Sequence, residues 1–343
     1  TALAAMAVAI VGAIVFLFAQ GTPSLYVGRI LTGLANGIGV GTGTAWLAEL
    51  IADKEKSRAT VLATSTNFVG IGVGALVAGL LAQYAAWPLR LPFVIYLLAL
   101  VLVAPPMFLA RETVRQPAYS ITQVSMRPRV SVPSEIRAQF VAPAVTGFGA
   151  LALVGFYAAL APTLLAHRLH VTNHAIAGAI LLELGLVVAG TIVATRSLAS
   201  RVAMLSALAL MLPSVALLVL AQLKASMVLV IIATAVCGAA SGLGYRGSLQ
   251  VVNQIAPESQ RAEVVSSYFV CCFLGNALPV IGIGVISTFA GSTVASLAFA
   301  GMIVAFALAA LYSVCAISPD SAGRAKTPRI FARRFASLAA LGG

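Results

Sequence analysis

The chain has 343 residues, 61% of them hydrophobic and 9% charged, and its 21 Lys and Arg outnumber 9 Asp and Glu to give a net charge of +12. Its mean hydropathy is +1.04, which is too apolar for a water-soluble globular protein. The composition excludes that class and predicts an integral membrane protein.

Apolar runs of about 20 residues alternate with short polar breaks, and a helix needs this length to cross roughly 30 Å of hydrocarbon. Barrel strands would instead alternate in polarity over about 10 residues, so we expect an all-α protein. The predicted spans are residues 2–20, 25–50, 59–84, 91–110, 140–166, 175–195, 202–222, 227–250, 263–289 and 293–317. The first span follows Thr1 directly, without signal-peptide features, and we expect the chain to be truncated at its N-terminus.

The basic residues divide unevenly between the two sides of the predicted membrane protein. An even number of spans places both termini on one side, and the loops of that side carry most of the Lys and Arg. The positive-inside rule makes this side cytoplasmic. We therefore expect a multi-pass protein of the plasma membrane, or of the inner membrane in a bacterium, with cytoplasmic termini. Topology then explains the net charge without a nucleic-acid partner.

A polar stretch at 111–138 divides the spans into two groups. We expect a cytoplasmic linker there, between a partial N-terminal bundle of four helices (1–110) and a C-terminal bundle of six (139–317). The basic tail at 318–343 either lies on anionic lipid headgroups or is a solvated extension.

The two groups of spans also resemble each other. The second span carries Gly33, Gly37 and Gly39. The eighth span carries glycines at corresponding positions, namely Gly238, Gly242 and Gly244. One bundle built twice predicts two pseudo-symmetric halves, which is the architecture of many secondary transporters.

Two short motifs are similar to those of a known family. The second span contains LYVGRILTG, and the third contains GIGVGALVAG at residues 70–79. The first resembles a Leu, Arg, Gln and Gly pattern of the major facilitator superfamily, and it falls on Leu25, Arg29, Thr32 and Gly33, with Thr32 at the glutamine position. The second resembles the glycine-rich motif of that family's antiporter branch, with Ala75 at the expected proline and Ala78 at an expected glycine. The resemblance implies two helical bundles, with these spans equivalent to helices 3 to 12 of twelve.

The second span carries polar and small residues on one face. Arg29, Gly33 and Asn36 are spaced i, i+4, i+7, and Gly33, Gly37 and Gly41 repeat every fourth residue, a spacing that permits close helix packing. A charge in hydrocarbon is costly unless it meets protein or water. Arg29 therefore either faces a transport cavity or extends to the nearby membrane interface, and the family pattern favours the cavity.

Glu183 lies near the middle of the sixth span, where its short side chain reaches neither membrane surface. A carboxyl in this position is suited to hold and release a proton during transport. The alternative is a permanently protonated side chain hydrogen-bonded to a neighbouring helix. Arg246 is no obvious partner, because it lies nearer the cytoplasmic end of its own span, roughly 15 Å deeper.

Three further polar side chains fall inside apolar spans, namely Asn67, Tyr157 and Asn276. A buried polar group needs a hydrogen bond, so each either lines a cavity or ties helices together. The third span also supplies glycines that we expect to act in helix packing, at Gly70, Gly74 and Gly79.

Four charged residues near the cytoplasmic ends of spans are candidates for a gate, namely Glu49, Arg58, Arg246 and Arg261. They are either solvated at the interface or part of ion pairs that latch this side. Three histidines at 167–174 predict a solvated loop and no metal site, because no carboxylate or cysteine accompanies them.

These features predict a secondary active transporter of a small molecule, working by alternating access with proton-coupled efflux. The chain has no phosphate-binding GxxxxGK[ST] loop and no HExxH or GxSxG motif, so we expect neither an enzyme nor a cofactor. The expected partners are the substrate, protons or another coupling ion, and lipids, and the expected state is a monomer. The alternatives are an importer or uniporter of a metabolite and a non-transporting sensor or scaffold of the same fold.

Overall fold

The computed structural model describes residues 2–50, 56–109 and 130–316, which form helices joined by short turns. The helices are α1 (Ala2–Leu17), α2 (Thr22–Leu50), α3 (Lys56–Tyr84), α4 (Leu91–Leu109), α5 (Arg137–His167), α6 (His174–Ala194), α7 (Ser200–Lys224), α8 (Met227–Ile255) and α9 (Arg261–Ala316). Single 3-10 turns, Ser134–Ile136 and Glu258–Gln260, precede α5 and α9. No strand occurs in these three ranges, so the predicted all-α class is confirmed.

α9 runs for 56 residues but is interrupted at Gly291, where φ is 83° and ψ is 163°. This region of backbone space favours glycine, because a side chain there would be strained. The break falls between the last two predicted spans, 263–289 and 293–317, so α9 is two consecutive helical segments joined at one glycine.

By length and composition, seven helices in the described part of the chain are suited to cross a membrane. α1 is apolar but shorter, with 16 residues. The outer surface of the bundles is itself apolar, as illustrated by Phe289, which is 88% exposed, and Leu109, which is 84% exposed. Large apolar side chains on the outside are expected where the surroundings are lipid.

The helices after residue 130 form one closely packed bundle. α7 packs on α8, α5 packs on α8 and α9, and α6 packs on α8. Small residues occupy several of these contacts, including Ala150, Ala203 and Ala240, each with 0% exposure. Small side chains let helix backbones approach closely, which is how helices associate without a hydrophobic driving force in lipid.

The helices before residue 110 pack more loosely, with α1 against α2 and α4. α3 instead lies along α6 of the following bundle, and this is the most extensive contact between any two helices in the described part of the chain. α3 and α6 therefore connect the two helix groups. The predicted tail at 318–343 and most of the predicted linker, up to residue 129, lie outside the described residues.

Candidate functional site

The contact between α3 and α6 is built on glycines, and we call it the α3–α6 joint, formed by Gly72 and Gly79 on α3 and Gly178 and Gly185 on α6. A Cβ placed on Gly79 would lie 2.5 Å from the carbonyl oxygen of His174, and one on Gly185 would lie 2.5 Å from that of Phe68. A side chain at either position would overlap the backbone of the facing helix, so the helices can approach this closely only because both positions are glycines. The joint thus brings the backbones of the two helices together over several turns.

Of the six glycines predicted to act in helix packing, Gly79 is the one in the joint. A Cβ added at Gly33, Gly37, Gly41, Gly70 or Gly74 would meet no described residue within 4 Å. The close packing expected for these five glycines is therefore not seen in the described part of the chain. A four-residue spacing identifies a helix face with small residues, but it does not say whether another helix lies against that face.

An open, only partly enclosed cavity of about 410 Å³ lies between α2 and α3. Asn67 and Thr66 of α3 provide its polar side chains, and Gly39 and Gly43 of α2 and Gly70 of α3 are among its other lining residues. Asn67 is exposed. It lines this cavity, which is one of the two roles that its position in the sequence allowed. Asn36 is also exposed on α2 but does not line this cavity.

Glu183 is half-buried on α6. It lies on a different face of α6 from Gly178 and Gly185, which contact α3. No hydrogen bond or ion pair joins it to another described residue, although it is within electrostatic range of Tyr157 on α5. A carboxyl among apolar helices without a fixed partner remains available to exchange a proton.

Tyr157 is only 1% exposed and lies inside the C-terminal bundle. Its hydroxyl donates to the carbonyl oxygen of Val230 at 3.1 Å and accepts from the Thr234 hydroxyl at 3.0 Å. Both partners lie on α8, so Tyr157 ties α5 to α8 and does not line a cavity in this structure. The sequence left open whether Tyr157 lines a cavity or ties helices together. Its hydrogen bonds to α8 fit the second role, and sequence spacing does not reveal these partners.

Asn276 is half-buried on α9 and lies against Gly155 of α5. An added Cβ at Gly155 would overlap both the side-chain oxygen and the carbonyl oxygen of Asn276. Asn276 therefore lies at a close crossing of α5 and α9.

Arg29 is exposed, and its guanidinium carbon lies 5.6 Å from the ring centroid of Phe16 on α1. The Phe16 ring stacks on Phe93 of α4, with 4.8 Å between centroids. A cation over an aromatic face is stabilised by the ring's negative charge density. The structure therefore places Arg29 against α1, and it does not bring Arg29 together with Glu183 on α6.

Arg246 is buried, with 7% exposure. One of its terminal nitrogens donates to the carbonyl oxygens of Arg196 at 3.0 Å and Leu198 at 2.7 Å, and to the side chain of Gln250 at 3.2 Å. Arg246 thus holds the turn between α6 and α7 against α8. The sequence did not predict this contact, because the two acceptors are backbone atoms far away along the chain.

The remaining gate candidates are only partly visible. Arg261 is exposed at the first residue of α9, whereas the side chains of Glu49 and Arg58 lie outside the described part of the structure. Within that part, no group of three or more His, Cys, Asp or Glu side chains is arranged to hold a metal ion.

Comparison with known proteins agrees with this arrangement of helices. The chain is similar to the crystal structure of the human organic anion transporter MFSD10 (TETRAN), with a TM-score of 0.63 and 15% identity over 91% of this chain and 76% of that one. It is also similar to the crystal structure of the transporter FucP in the outward conformation, with a TM-score of 0.60 and 15% identity over 91% of this chain and 82% of that one. At this identity the similarity concerns the fold alone.

Among curated proteins, none matches the sequence. The family profile of the Major Facilitator Superfamily matches residues 1–280, which is most of the chain. Together with the all-α architecture, this match identifies the family. The chain belongs to the Major Facilitator Superfamily.

Proposed function

We propose that the protein is a secondary active transporter that exports a small molecule in exchange for protons by alternating access. The family supports a membrane transporter. The observation that carries the coupling proposal is Glu183, a half-buried carboxyl in the middle of a membrane helix without a hydrogen-bond partner among the described residues.

A carboxyl within a membrane is costly, and such groups mark ion and proton pathways in transporters. Glu183 lies on α6, the same helix that joins the two helix groups through Gly178 and Gly185. A change in its protonation therefore occurs on the helix that joins the two helix groups, although on a different face of that helix. This location supports a role in coupling proton movement to a change of conformation.

The test is transport by the purified protein in lipid vesicles with an imposed pH gradient. A trapped pH-sensitive dye reports proton movement while labelled compounds are added in turn. The compounds include hydrophobic and modestly polar molecules, and also organic anions, because one structural neighbour is described as an organic anion transporter. We expect at least one compound to cross the membrane together with a proton flux in the opposite direction.

Glu183→Gln keeps the size of the side chain and removes its titration. We expect this variant to fold normally and to lose the dependence of flux on the pH gradient. Glu258→Gln is the matched control, because Glu258 lies in the exposed turn before α9, and we expect it to transport like the wild type. Wild-type pH dependence in Glu183→Gln would contradict the role of Glu183.

Other outcomes separate the alternatives. Flux in the same direction as the protons indicates an importer, and flux independent of the pH gradient in the wild type indicates a uniporter. Movement of none of the compounds, together with normal folding, favours a sensor or scaffold. Impermeant labelling of the tail at 318–343 in intact cells tests the proposed cytoplasmic termini and plasma-membrane location, and it should fail unless the cells are permeabilised.

A further inference from the structure

Two hydrogen bonds join the end of α3 to the beginning of α6, one between a backbone group and a side chain and one between two side chains. The side-chain oxygen of Gln83 accepts from the backbone N–H of His174 at 3.0 Å. The side-chain nitrogen of Asn173 donates to the hydroxyl of Tyr84 at 3.2 Å. We call these four residues the clasp.

The clasp combines a helix cap with a contact between bundles. Asn173 is the N-cap of α6, and its side-chain oxygen accepts from the N–H of Ala175 at 2.8 Å. The first N–H groups of a helix lack partners within the helix. Here Gln83 of α3 provides a partner for the N–H of His174, so the first turn of α6 is capped partly by its own bundle and partly by the other.

The clasp lies at the end of the molecule opposite the start of α1, because each successive helix reverses direction. Below it, Gly79 lies against the His174 carbonyl and Gly72 against the backbone of Leu182. The half of α3 that ends at Tyr84 is thus held against α6. The cavity of about 410 Å³ borders the other half of α3, from Ala63 to Ile71.

The strength of the clasp suits a contact that opens and closes. Both hydrogen bonds are exposed to the surroundings, and a hydrogen bond of this kind contributes only about 0.5 to 1.5 kcal/mol net. A buried ion pair at the same place would be much harder to separate. Two weak bonds therefore bias the position of two bundles without locking it.

We propose that the clasp of Gln83, Tyr84, Asn173 and His174 closes the transporter at the end opposite its termini, and that it breaks and reforms in each transport cycle. This inference rests on the proposed alternating access. The structure then represents the state that is closed on the clasp side, with its cavity on the side of the termini.

The chain offers closely matched variants for testing the clasp. Tyr84→Phe removes only the hydroxyl that accepts from Asn173. Asn173→Ser removes the donor to Tyr84, because the serine side chain is too short to reach that hydroxyl, and it keeps an oxygen that caps α6, since Ser is a favourable N-cap. Tyr26→Phe is the control, because Tyr26 is an exposed tyrosine near the start of α2, at the same end of the molecule.

Distances between nitroxide labels report the position of the two bundles without any need for a substrate. The labels are attached at Trp87→Cys and Thr172→Cys, two exposed positions beside the clasp, in full-length protein in lipid vesicles with the native cysteines replaced. We expect a short and a long distance. The ratio of long to short distances should rise roughly two- to tenfold in Tyr84→Phe and Asn173→Ser, and it should not change in Tyr26→Phe.

Equal distance distributions in the wild type and both clasp variants would overturn the proposal. If the cysteine-free background does not fold, amide hydrogen exchange in the protein with native cysteines decides instead. Exchange at His174 and Ala175 should then rise two- to tenfold in the clasp variants but not in Tyr26→Phe, and unchanged exchange again overturns the proposal.

A reversible cross-link connects the clasp to transport. Tyr84→Cys with Asn173→Cys is bridged by a bifunctional thiol-reactive reagent that attaches to each cysteine through a disulfide, so the helix ends can be linked without direct S–S geometry. The cross-link should remove the long distance and stop the flux of whichever compound the wild type transports, and reduction should restore both. Full flux through the cross-linked protein would overturn the clasp. If the wild type transports none of the compounds, the proposed function fails, but the label distances still decide whether the clasp opens.

Discussion

The α3–α6 joint makes Gly185→Ala a sharp test of the structure. A Cβ on Gly185 would lie 2.5 Å from the carbonyl oxygen of Phe68, 3.2 Å from the Cα of Gly72 and 3.3 Å from its nitrogen. All three contacts are with backbone, which has no rotamer to change. Favourable contact between such atoms needs about 3.5 Å, so α3 and α6 must separate locally by roughly 1 Å.

Separation of this kind is a case of overpacking, which typically costs about 1 to 3 kcal/mol. Alanine also stabilises a helix relative to glycine by about 0.8 to 1.0 kcal/mol, and that gain partly conceals the loss. Gly190→Ala is the matched control on the same helix, since a Cβ there would meet nothing within 4 Å. The helix gain is common to both variants, so their difference isolates the cost at the joint.

The measurement is thermal unfolding of both variants in the same detergent. At about 2.1 cal/mol/K of unfolding entropy per residue, a difference of 1 to 3 kcal/mol corresponds to roughly 1 to 4 °C in the melting temperature. We expect Gly185→Ala to melt lower than Gly190→Ala by that amount. Equal melting temperatures, or a higher value for Gly185→Ala, would refute the close approach of α3 and α6.

Two further predictions concern contacts within the C-terminal bundle. Arg246→Ala should leave the carbonyls of Arg196 and Leu198 without their donor, which costs about 1 to 3 kcal/mol of stability. Amide hydrogen exchange in the turn between α6 and α7 should therefore accelerate. Unchanged exchange in this turn would contradict the contact. Tyr157→Phe should lower the melting temperature, because a hydrogen bond to Val230 is lost at about 0.5 to 1.5 kcal/mol, and it should leave the KM for transport unchanged. A changed KM at unchanged stability would return Tyr157 to the cavity-lining role.

Local sequence patterns predicted the helices well because helix formation in a membrane depends on runs of apolar residues. The predicted span 91–110 is observed as Leu91–Leu109, and 175–195 as His174–Ala194. The break between the last two predicted spans coincides with the positive φ of Gly291. The family followed from short motifs, and the profile match over residues 1–280 confirms it.

The sequence by itself thus determined the class of protein, its helices and its family, because composition, apolar run length and short motifs are properties of neighbouring residues. Only the tertiary structure decided which glycines join helices and which polar groups are tied down. Gly33 and Gly185 look alike in sequence, yet only Gly185 meets a backbone. Tyr157 and Glu183 are both polar residues in apolar spans, yet only Tyr157 has hydrogen-bond partners in the described part of the chain. These differences depend on which helix lies against which face, and that is set by contacts between residues far apart in the chain.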